Sequence, residues 1–203
     1  MNNIDNQYAS SKSVSNFAGG YFSYLKSVLD TIDPVSIDRF EAEFIDTFNQ
    51  GTTLFVIGNG GSATTASAMA NDIGFDLLKK TSITKPLRVV SLADNNAVVT
   101  AISNDTGYDN LFLNQLRIHY QEGDKLLVIS ASGNSENVVR GANWVKERGG
   151  TVLGLLGFDG GKLLDLCDSA IHVITEAGEY GPVEDAHLIM NHVFAHWFQN
   201  KLR

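Results

Sequence analysis

Ile57-Gly-Asn-Gly-Gly-Ser62 and Ile129-Ser-Ala-Ser-Gly-Asn-Ser135 are the two stretches that decide the fold of this chain. Each follows an apolar run typical of a buried strand, at residues 53–57 and 125–129, and each precedes a pattern typical of a helix. A parallel strand that ends in such a turn before a helix points free backbone N–H groups outward. Because the N-terminus of a helix carries partial positive charge, this arrangement favours the binding of an anion.

The chemistry of the two turns narrows the kind of anion. Neither turn contains the lysine of the nucleotide-binding pattern GxxxxGK[ST], and neither has the GxGxxG spacing of dinucleotide sites, so we expect no nucleotide cofactor. Serine hydroxyls supply further donors, which suit a single phosphate monoester better than a polyphosphate; they belong to Ser62, Ser130, Ser132 and Ser135. The alternative is that both turns are ordinary connections to capped helices.

Composition limits the class of protein. The 203 residues are 43% hydrophobic and 19% charged, which is ordinary for one globular domain. The net charge of −8 argues against a nucleic-acid partner, because binding to a phosphate backbone needs clustered Lys and Arg. The single cysteine, Cys167, cannot form an internal disulfide and fits a reducing compartment. No window approaches the ~20 apolar residues that span a membrane, so we expect a cytoplasmic protein without a membrane partner.

Strand-like and helical patterns alternate along most of the chain. The strand-like runs lie at 53–57, 87–92, 125–130, 151–156 and 170–174, and the helical patterns lie at 62–78, 96–120 with a break near 106, 135–148, 161–167 and 183–202. Continuous Val, Leu and Ile strands separated by helices predict an α/β fold with a five-stranded parallel sheet flanked by helices, doubly wound as in flavodoxin. Ligands on such sheets bind at the carboxyl ends of the strands, near the point where the strand order reverses.

The N-terminal part of the chain has a different pattern. Apolar residues recur at helical spacing over 14–32 and again from Phe40 to Phe48, which predicts a helical pair that ends near Gly51. Residues 1–13 are expected to be flexible, and residues 14–203 are predicted to form a single domain.

Six motifs, taken in order, resemble the sugar isomerase (SIS) domain family, and within it the phosphoheptose isomerases. They are Gly58-Asn-Gly-Gly-Ser62, Ser91-Leu-Ala-Asp-Asn95, Thr100-Ala-Ile-Ser-Asn-Asp105, Ser130-Ala-Ser-Gly-Asn-Ser135, Gly157-Phe-Asp-Gly-Gly161, and Val183-Glu-Asp-Ala-His187 followed by His192. The resemblance covers roughly residues 15–202. It implies an aldose–ketose isomerase that interconverts sedoheptulose 7-phosphate and D-glycero-D-manno-heptose 7-phosphate. It also implies a homotetramer with sites at subunit interfaces, in a bacterial heptose pathway for lipopolysaccharide or capsule.

The resemblance also implies a set of substrate-binding residues. Contacts to the phosphate and the sugar fall on Asn59, Gly60, Gly61, Ser62, Asn104, Asp105, Ser130, Ala131, Ser132 and Ser135. Asp94 follows the strand-like run at 87–92 and is a further candidate for the site, with a role in a turn as the alternative. Without the resemblance, Asn104 and Asp105 would be interpreted as a turn that ends a helix.

Isomerisation through an enediol needs a base for the carbon-bound proton and a group that stabilises the developing oxyanion. In the family, a glutamate on the first helix of the domain is the base, and Asp72 stands at its position. The family histidine on the last helix corresponds to His192, and a family glutamine corresponds to Glu184, which is also a candidate for binding the substrate. A second family histidine corresponds to Ala68, one helical turn before Asp72. Because aspartate is shorter than glutamate, the base must sit closer to the substrate.

Asp72, Glu184 and His192 form a possible metal site. Two carboxylates and one histidine with an open position would suit a catalytic zinc ion, although the change to Ala68 removes one family ligand. Alternatively, the two carboxylates raise one another's pKa, which leaves one of them as a proton donor. His187, three residues after Glu184 on the last helix, is a further candidate for lining the site.

A non-catalytic function is the competing hypothesis. Some relatives of the same fold lack the acid and the histidine and act as phosphosugar-binding or regulatory proteins, including one that associates with a replication initiator. Asp72 together with His192 favours the enzyme, whereas Ala68 favours the regulator. A third hypothesis is an isomerase for another phosphosugar, because nothing in the sequence counts the carbon atoms of the substrate.

Overall fold

The centre of the molecule is a sheet of five parallel strands. In the computed structural model, which describes residues 2–203, the strands are β1 (Thr53–Ile57), β2 (Arg88–Ser91), β3 (Lys125–Ser130), β4 (Thr151–Gly157) and β5 (Ser169–Val173). Their order across the sheet is β2-β1-β3-β4-β5, and every neighbouring pair is parallel. The predicted α/β fold with a five-stranded, doubly wound sheet is confirmed.

The strand order reverses between β1 and β3. From β1 the chain moves outward to β2 on one side of the sheet and then returns to place β3 on the other side. Ile57 pairs with Val128, so the two strands end at nearly the same level. The two Gly/Ser turns that follow them therefore lie side by side at the topological switch point, where ligands bind to sheets of this kind.

Ten α-helices lie in the part of the chain that the structure describes. They are α1 (Asn3–Ser10), α2 (Val14–Leu29), α3 (Pro34–Gln50), α4 (Gly61–Met69), α5 (Asp76–Lys80), α6 (Asn96–Thr106), α7 (Leu111–His119), α8 (Glu136–Lys146), α9 (Gly161–Leu166) and α10 (Tyr180–Lys201). Within residues 2–203, none of these helices is both long enough and apolar enough to cross a membrane.

The sheet has a hydrophobic core on each face. Along β1, Leu54 and Val56 belong to one core, whereas Phe55 and Ile57 belong to the other, because successive side chains of a strand point to opposite faces. Helices α2, α3, α4 and α10 cover the first face, and α6 to α9 cover the second. Both faces are buried, which explains why the strands read as continuous apolar runs.

The predicted N-terminal helical pair is present as α2 and α3. A further helix, α1, precedes the pair within the segment 1–13 that was expected to be flexible; Met1 is outside the described residues. The backbone N–H of Asn3 donates to Glu179 Oε1 at 2.6 Å, and its side chain donates to the Tyr24 hydroxyl at 3.1 Å. The segment lacks the apolar periodicity from which a helix can be predicted. The polar contacts that hold it join residues far apart in the sequence, so no local pattern indicates them.

The helix after the first Gly/Ser turn also differs from its prediction. The pattern at 62–78 predicts one continuous helix, but a π-helical segment at Ala70–Phe75 separates α4 from α5. Here the Asp76 N–H donates to the Asn71 carbonyl, five residues back. Single π-helical turns inside α-helices occur frequently at functional sites, and Asp72 lies within this one.

The last helix is held against α3 by stacked aromatic rings. Phe194 stacks on Phe44 with ring centroids 5.4 Å apart and on Phe40 at 6.1 Å, and Phe198 packs on Phe44 at 5.6 Å. All four rings are buried. This packing fixes α10 along the sheet and thereby the position of His192 in the turn before Phe194.

The turn after β3 is locked to the start of α9. The Leu163 N–H donates to the Gly133 carbonyl at 3.1 Å, and the Lys162 N–H donates to Asn134 Oδ1 at 3.2 Å. Gly133 has a φ of 64°, and a Cβ there would lie 1.9 Å from the carbonyl oxygen of Gly160. The position therefore requires glycine both for its backbone conformation and for the close approach of the two loops.

Replacing Gly133 with alanine should lower the free energy of unfolding by about 2–5 kcal/mol, because left-handed strain of ~1–2 kcal/mol adds to an overpacking cost of ~1–3 kcal/mol. Gly149→Ala is the matched control: its φ is 70°, but no atom lies within 4 Å of the added Cβ, so only the strain should be measured. Urea unfolding of both variants measures the difference. Equal losses would show that the loop contact contributes nothing to stability.

Candidate active site

A small cavity lies where the carboxyl ends of β1 and β3 meet. Its volume is about 130 Å³, and its lining consists of Asn59, Ser62, Ile129, Ser130, Ala131, Ser132, Ser135, Tyr180 and Glu184. Of these residues, all but Ile129 and Tyr180 were predicted from the sequence. Pockets for drug-sized ligands usually measure ~300–1,000 Å³, so this cavity has the size for one small group of a ligand rather than for the whole molecule.

The serines around the cavity keep hydroxyl protons available. Ser130 Oγ accepts a hydrogen bond from the Gly133 N–H at 3.0 Å, and Ser132 Oγ accepts one from the Asn134 N–H at 3.3 Å. A hydroxyl has one donor and two acceptor sites, so each can still donate. Ser135 stands at the N-cap of α8, but its hydroxyl does not bond to the helix. These donors join the N-termini of α4 and α8, which together favour an anion.

Asn59 is held in place by two residues that the sequence did not reveal. Its side-chain amide pairs with that of Asn137 through two hydrogen bonds of 2.9 Å, and Tyr108 donates to Asn59 Oδ1 at 2.8 Å. Asn137 is buried in the first turn of α8. Its position as a polar residue directly after the motif that ends at Ser135 is the feature of the sequence that could have indicated a role in the site. Tyr108 lies in a separate short helical turn, and no local pattern predicts its contact.

Glu184 closes the cavity from the side of α10. A Cβ on Gly61 would lie 2.3 Å from Glu184 Oε2, so the Glu184 carboxyl group lies directly against the first residue of α4, and a larger residue there would displace this carboxyl group. Burial raises the pKa of the Glu184 carboxyl, and the charge of Asp185 raises it further. A raised pKa favours the protonated carboxyl, which can donate to an anion in the cavity, whereas the carboxylate would repel it.

Asp72 and His192 face each other farther from the cavity. Asp72 lies in the π-helical segment that follows α4, and His192 lies on α10. His192 Nε2 lies 3.6 Å from Asp72 Oδ2, with 56% of the histidine side chain and 21% of the aspartate side chain exposed. The distance is beyond hydrogen-bond range. Asn191 Nδ2 donates to Asp72 Oδ2 at 2.7 Å, and Asn71 Nδ2 donates to Asp72 Oδ1 at 2.8 Å. The acid is thus held by two amides and remains open to solvent beside the imidazole.

The predicted metal set is not brought together by one chain. Glu184 precedes His192 by eight residues, which is about 12 Å along a helix axis, and it packs on Gly61 rather than on Asp72. Across residues 2–203, no group of three or more His, Cys, Asp and Glu side chains is arranged to hold a metal ion. The residues of a single chain therefore do not fit the zinc site that the resemblance implies.

His187 does not line the cavity, contrary to expectation. Its side chain is completely buried in α10. Burial lowers the pKa of the imidazole to about 4, and a contact with the backbone of Leu156 acts in the opposite direction. The ring is neutral at pH 7. Although positions i and i+3 of a helix share a face, it packs into the core and not beside Glu184 in the cavity.

The other predicted binding residues lie outside the cavity lining. Asp94 Oδ1 accepts hydrogen bonds from Ser91 at 2.8 Å and from Ser67, so it connects the end of β2 to α4. Asn104 donates to Asp105 at 2.8 Å, and both are exposed near the end of α6. Within one chain, neither Asp94 nor the Asn104–Asp105 pair is part of the lining of the serine cavity.

Comparisons with known proteins agree with this architecture. A family model described as SIS domain matches residues 20–157. Phosphoheptose isomerase from Aneurinibacillus thermoaerophilus is 34% identical over 158 residues, which cover 77% of this chain and 77% of that protein. Phosphoheptose isomerase from Pelobacter propionicus is 35% identical over 153 residues, which cover 75% of this chain and 78% of that protein.

Solved structures show the same fold. The phosphoheptose isomerase from Neisseria gonorrhoeae aligns with a TM-score of 0.82 at 24% identity, covering 93% of this chain and all of that one. The enzyme of that name from Francisella tularensis aligns with a TM-score of 0.81 at 22% identity, covering 93% of this chain and 99% of that one. From the matched domain, the sequence identity to curated relatives and the shared architecture, the chain belongs to the SIS domain family and is similar to its phosphoheptose isomerases.

Proposed function

We propose that this protein is an aldose–ketose isomerase that converts sedoheptulose 7-phosphate to D-glycero-D-manno-heptose 7-phosphate. The observation that carries the proposal is the alignment of two sites along the same helices. At one end Gly61 of α4 contacts Glu184 of α10 beside the serine-lined cavity, and farther along Asp72 faces His192. The two ends lie about 12 Å apart along the helix axis, which suits a substrate with its phosphate and its reacting carbons at opposite ends.

The chemistry follows from the side chains at the two ends. The cavity holds the phosphate through serine hydroxyls and helix N-termini. Asp72 removes the proton from C1 of the ketose, the C–H electrons form the C1=C2 bond of the enediol, and the C2 oxygen takes a proton from His192. Return of a proton from Asp72 to C2 and loss of the O1 proton to His192 give the aldose. Because the metal set is not assembled within one chain, no step is assigned to a metal.

The relatives support the choice of substrate. Curated relatives at 34% and 35% identity are named phosphoheptose isomerases. We place the reaction in the cytoplasm, in a heptose pathway that leads to lipopolysaccharide or capsule. A non-catalytic regulator of the same fold would need no acid held by two amides beside an open imidazole, and this observation favours the enzyme.

The active form is proposed to be a homotetramer with sites completed at subunit interfaces. Large apolar side chains are exposed on the helices of one face, including Phe22 on α2 and Val193 and Trp197 on α10. Exposed apolar surface of this kind marks sites of association. A neighbouring subunit would also supply groups to the open side of His192.

Asp72→Asn should lower the rate of isomerisation by about 10²–10⁴-fold while leaving the affinity for the phosphosugar nearly unchanged. The amide keeps the shape of the carboxylate but cannot accept a carbon-bound proton, and general acid–base catalysis is worth ~10²–10⁴-fold. The loss should therefore appear in kcat rather than in KM. Conversion of sedoheptulose 7-phosphate, followed by anion-exchange chromatography, measures both constants. His192→Gln should behave similarly.

Two results would contradict this assignment. If the unmodified protein binds the phosphosugar but does not convert it, with or without added zinc, the regulatory function replaces the enzyme. If a chelator abolishes conversion and zinc restores it, the reaction runs through a metal with a ligand from a second subunit, and the metal-free proton transfer is wrong.

Ser135→Ala and Glu184→Gln should change phosphosugar affinity in opposite directions. The serine variant loses a charge-assisted hydrogen bond, which costs about 1.5–3 kcal/mol, or roughly 10- to 150-fold in Kd. The glutamine variant removes a carboxylate that repels the phosphate, so it should bind more tightly at pH 8. Calorimetry in the Asp72→Asn background measures binding without turnover, and Ser23→Ala on the exposed side of α2 is the control.

The pH dependence of phosphosugar affinity distinguishes the effect of the charge of Glu184 from the effect of its shape. Because the pKa of Glu184 is raised, the carboxyl is protonated at low pH, and the glutamine variant should then match the unmodified protein. The advantage of the variant should grow as the pH rises through that pKa. The phosphate group of the ligand titrates in the same way with both proteins, so its effect cancels in the ratio of their affinities at each pH. A constant difference at all pH values would contradict the electrostatic explanation.

The proposed assembly predicts a particle mass in solution of four times the 22.0 kDa chain. Light scattering coupled to gel filtration at micromolar concentration measures it. Trp197→Glu should shift the mass downward, because it places a charge in the apolar face of α10, whereas Asp30→Glu on the polar side of the N-terminal helices should not. A mass of 22.0 kDa for the unmodified protein would refute the assembly.

A further inference from the structure

Asn191 is the most unusual polar residue near the Asp72–His192 pair. Its side chain is completely buried in α10, and its Nδ2 donates to Asp72 Oδ2 at 2.7 Å. Its Oδ1 has no hydrogen-bond partner among the protein groups of residues 2–203. Within residues 2–203, the one side-chain hydrogen bond of Asn191 therefore goes to the acid of the proposed reaction.

Stability does not account for an asparagine at this position. A buried carbonyl oxygen without a partner retains its full desolvation penalty, and an apolar residue of similar shape would avoid it. The neighbours one turn away on the same face, His187 and Phe194, are also buried, so the site offers apolar packing. Polar groups that cost stability are retained most often where function requires them.

The geometry around Asp72 indicates what the Asn191 side chain does. Aspartate has a single carbon between its backbone and its carboxyl group, and Asp72 lies in the π-helical segment with part of its side chain in solvent. Its Oδ1 is held by Asn71, the adjacent exposed residue, and its Oδ2 is held by Asn191 from the buried side. Two amide donors on two different oxygens fix the plane of the carboxylate.

Two adjacent residues on α10 have different roles at Asp72. Asn191 points inward and holds the acid, whereas His192, the next residue, remains exposed with Nε2 3.6 Å from the same oxygen. One helix thus sets both the orientation of the acid and its distance from the imidazole. Small misplacement of a reacting group can cost ~10²-fold in rate.

We propose that Asn191 is a positioning residue, which orients the Asp72 carboxylate toward the reacting carbon. The role rests on the proposed isomerase function. It predicts that the asparagine contributes to turnover and not to folding, which a structural role would not do.

Asn191→Leu should lower kcat by roughly 10- to 100-fold, leave KM within about threefold, and leave the melting temperature equal to or above that of the unmodified protein. Gln199→Leu is the matched control, because Gln199 is a buried amide two turns farther along the same helix. It should leave kcat unchanged. Turnover of sedoheptulose 7-phosphate and thermal unfolding are measured on all three proteins.

A double variant tests whether Asn191 acts through Asp72. If it does, Asn191→Leu should cause no further loss of the residual turnover in the Asp72→Asn background, because the oriented carboxylate is already gone. Additive losses, an unchanged kcat in Asn191→Leu, or a kcat loss that follows a fall in melting temperature would each overturn the positioning role. Absence of turnover in the unmodified protein is a different result: it refutes the isomerase function itself and the positioning role with it.

Discussion

The adjacency of β1 and β3 is the constraint on which the rest of the structure depends. Because the chain places β2 on the far side of β1, the ends of β1 and β3 meet with nothing between them. Two turns of similar composition, far apart in sequence, are thereby joined into one cavity with donors from both. The helices that follow are positioned by this arrangement: α4 begins at the cavity, and α10 packs beside it with the Glu184 carboxyl group against Gly61.

The electrostatics of the site show how an acidic protein can hold an anion. No Lys or Arg lines the cavity within the described part of the chain, and the net charge is −8. Binding must come from hydroxyls and helix N-termini, whose dipoles are oriented before the ligand arrives. The one acidic group in the lining, Glu184, is moved toward its protonated form by burial. The same helix then carries His192 to the open side of Asp72, so that the means of binding and the means of reaction share one rigid support.

The sequence predicted the parts that depend on local pattern. The apolar runs located all five strands to within about two residues at each end, as expected for boundaries, and the Gly/Ser turns located the cavity. Contacts between distant segments were not predictable in this way. The helix at Asn3–Ser10 depends on Glu179, and the contact of Asn191 with Asp72 joins two helices; neither follows from periodicity. His187 was misplaced because spacing along a helix does not say which face is buried.

Proton exchange at carbon is the chemistry that most directly defines an isomerase of this kind. The measurement is incubation of sedoheptulose 7-phosphate in deuterated solvent with the unmodified protein and with Asp72→Asn, followed by mass spectrometry and NMR of the recovered sugar. The account predicts deuterium at C1 or C2 with the unmodified protein and none with the variant, at equal occupancy by the phosphosugar. Equal labelling by both proteins, or no labelling by a protein that binds the sugar, would contradict it.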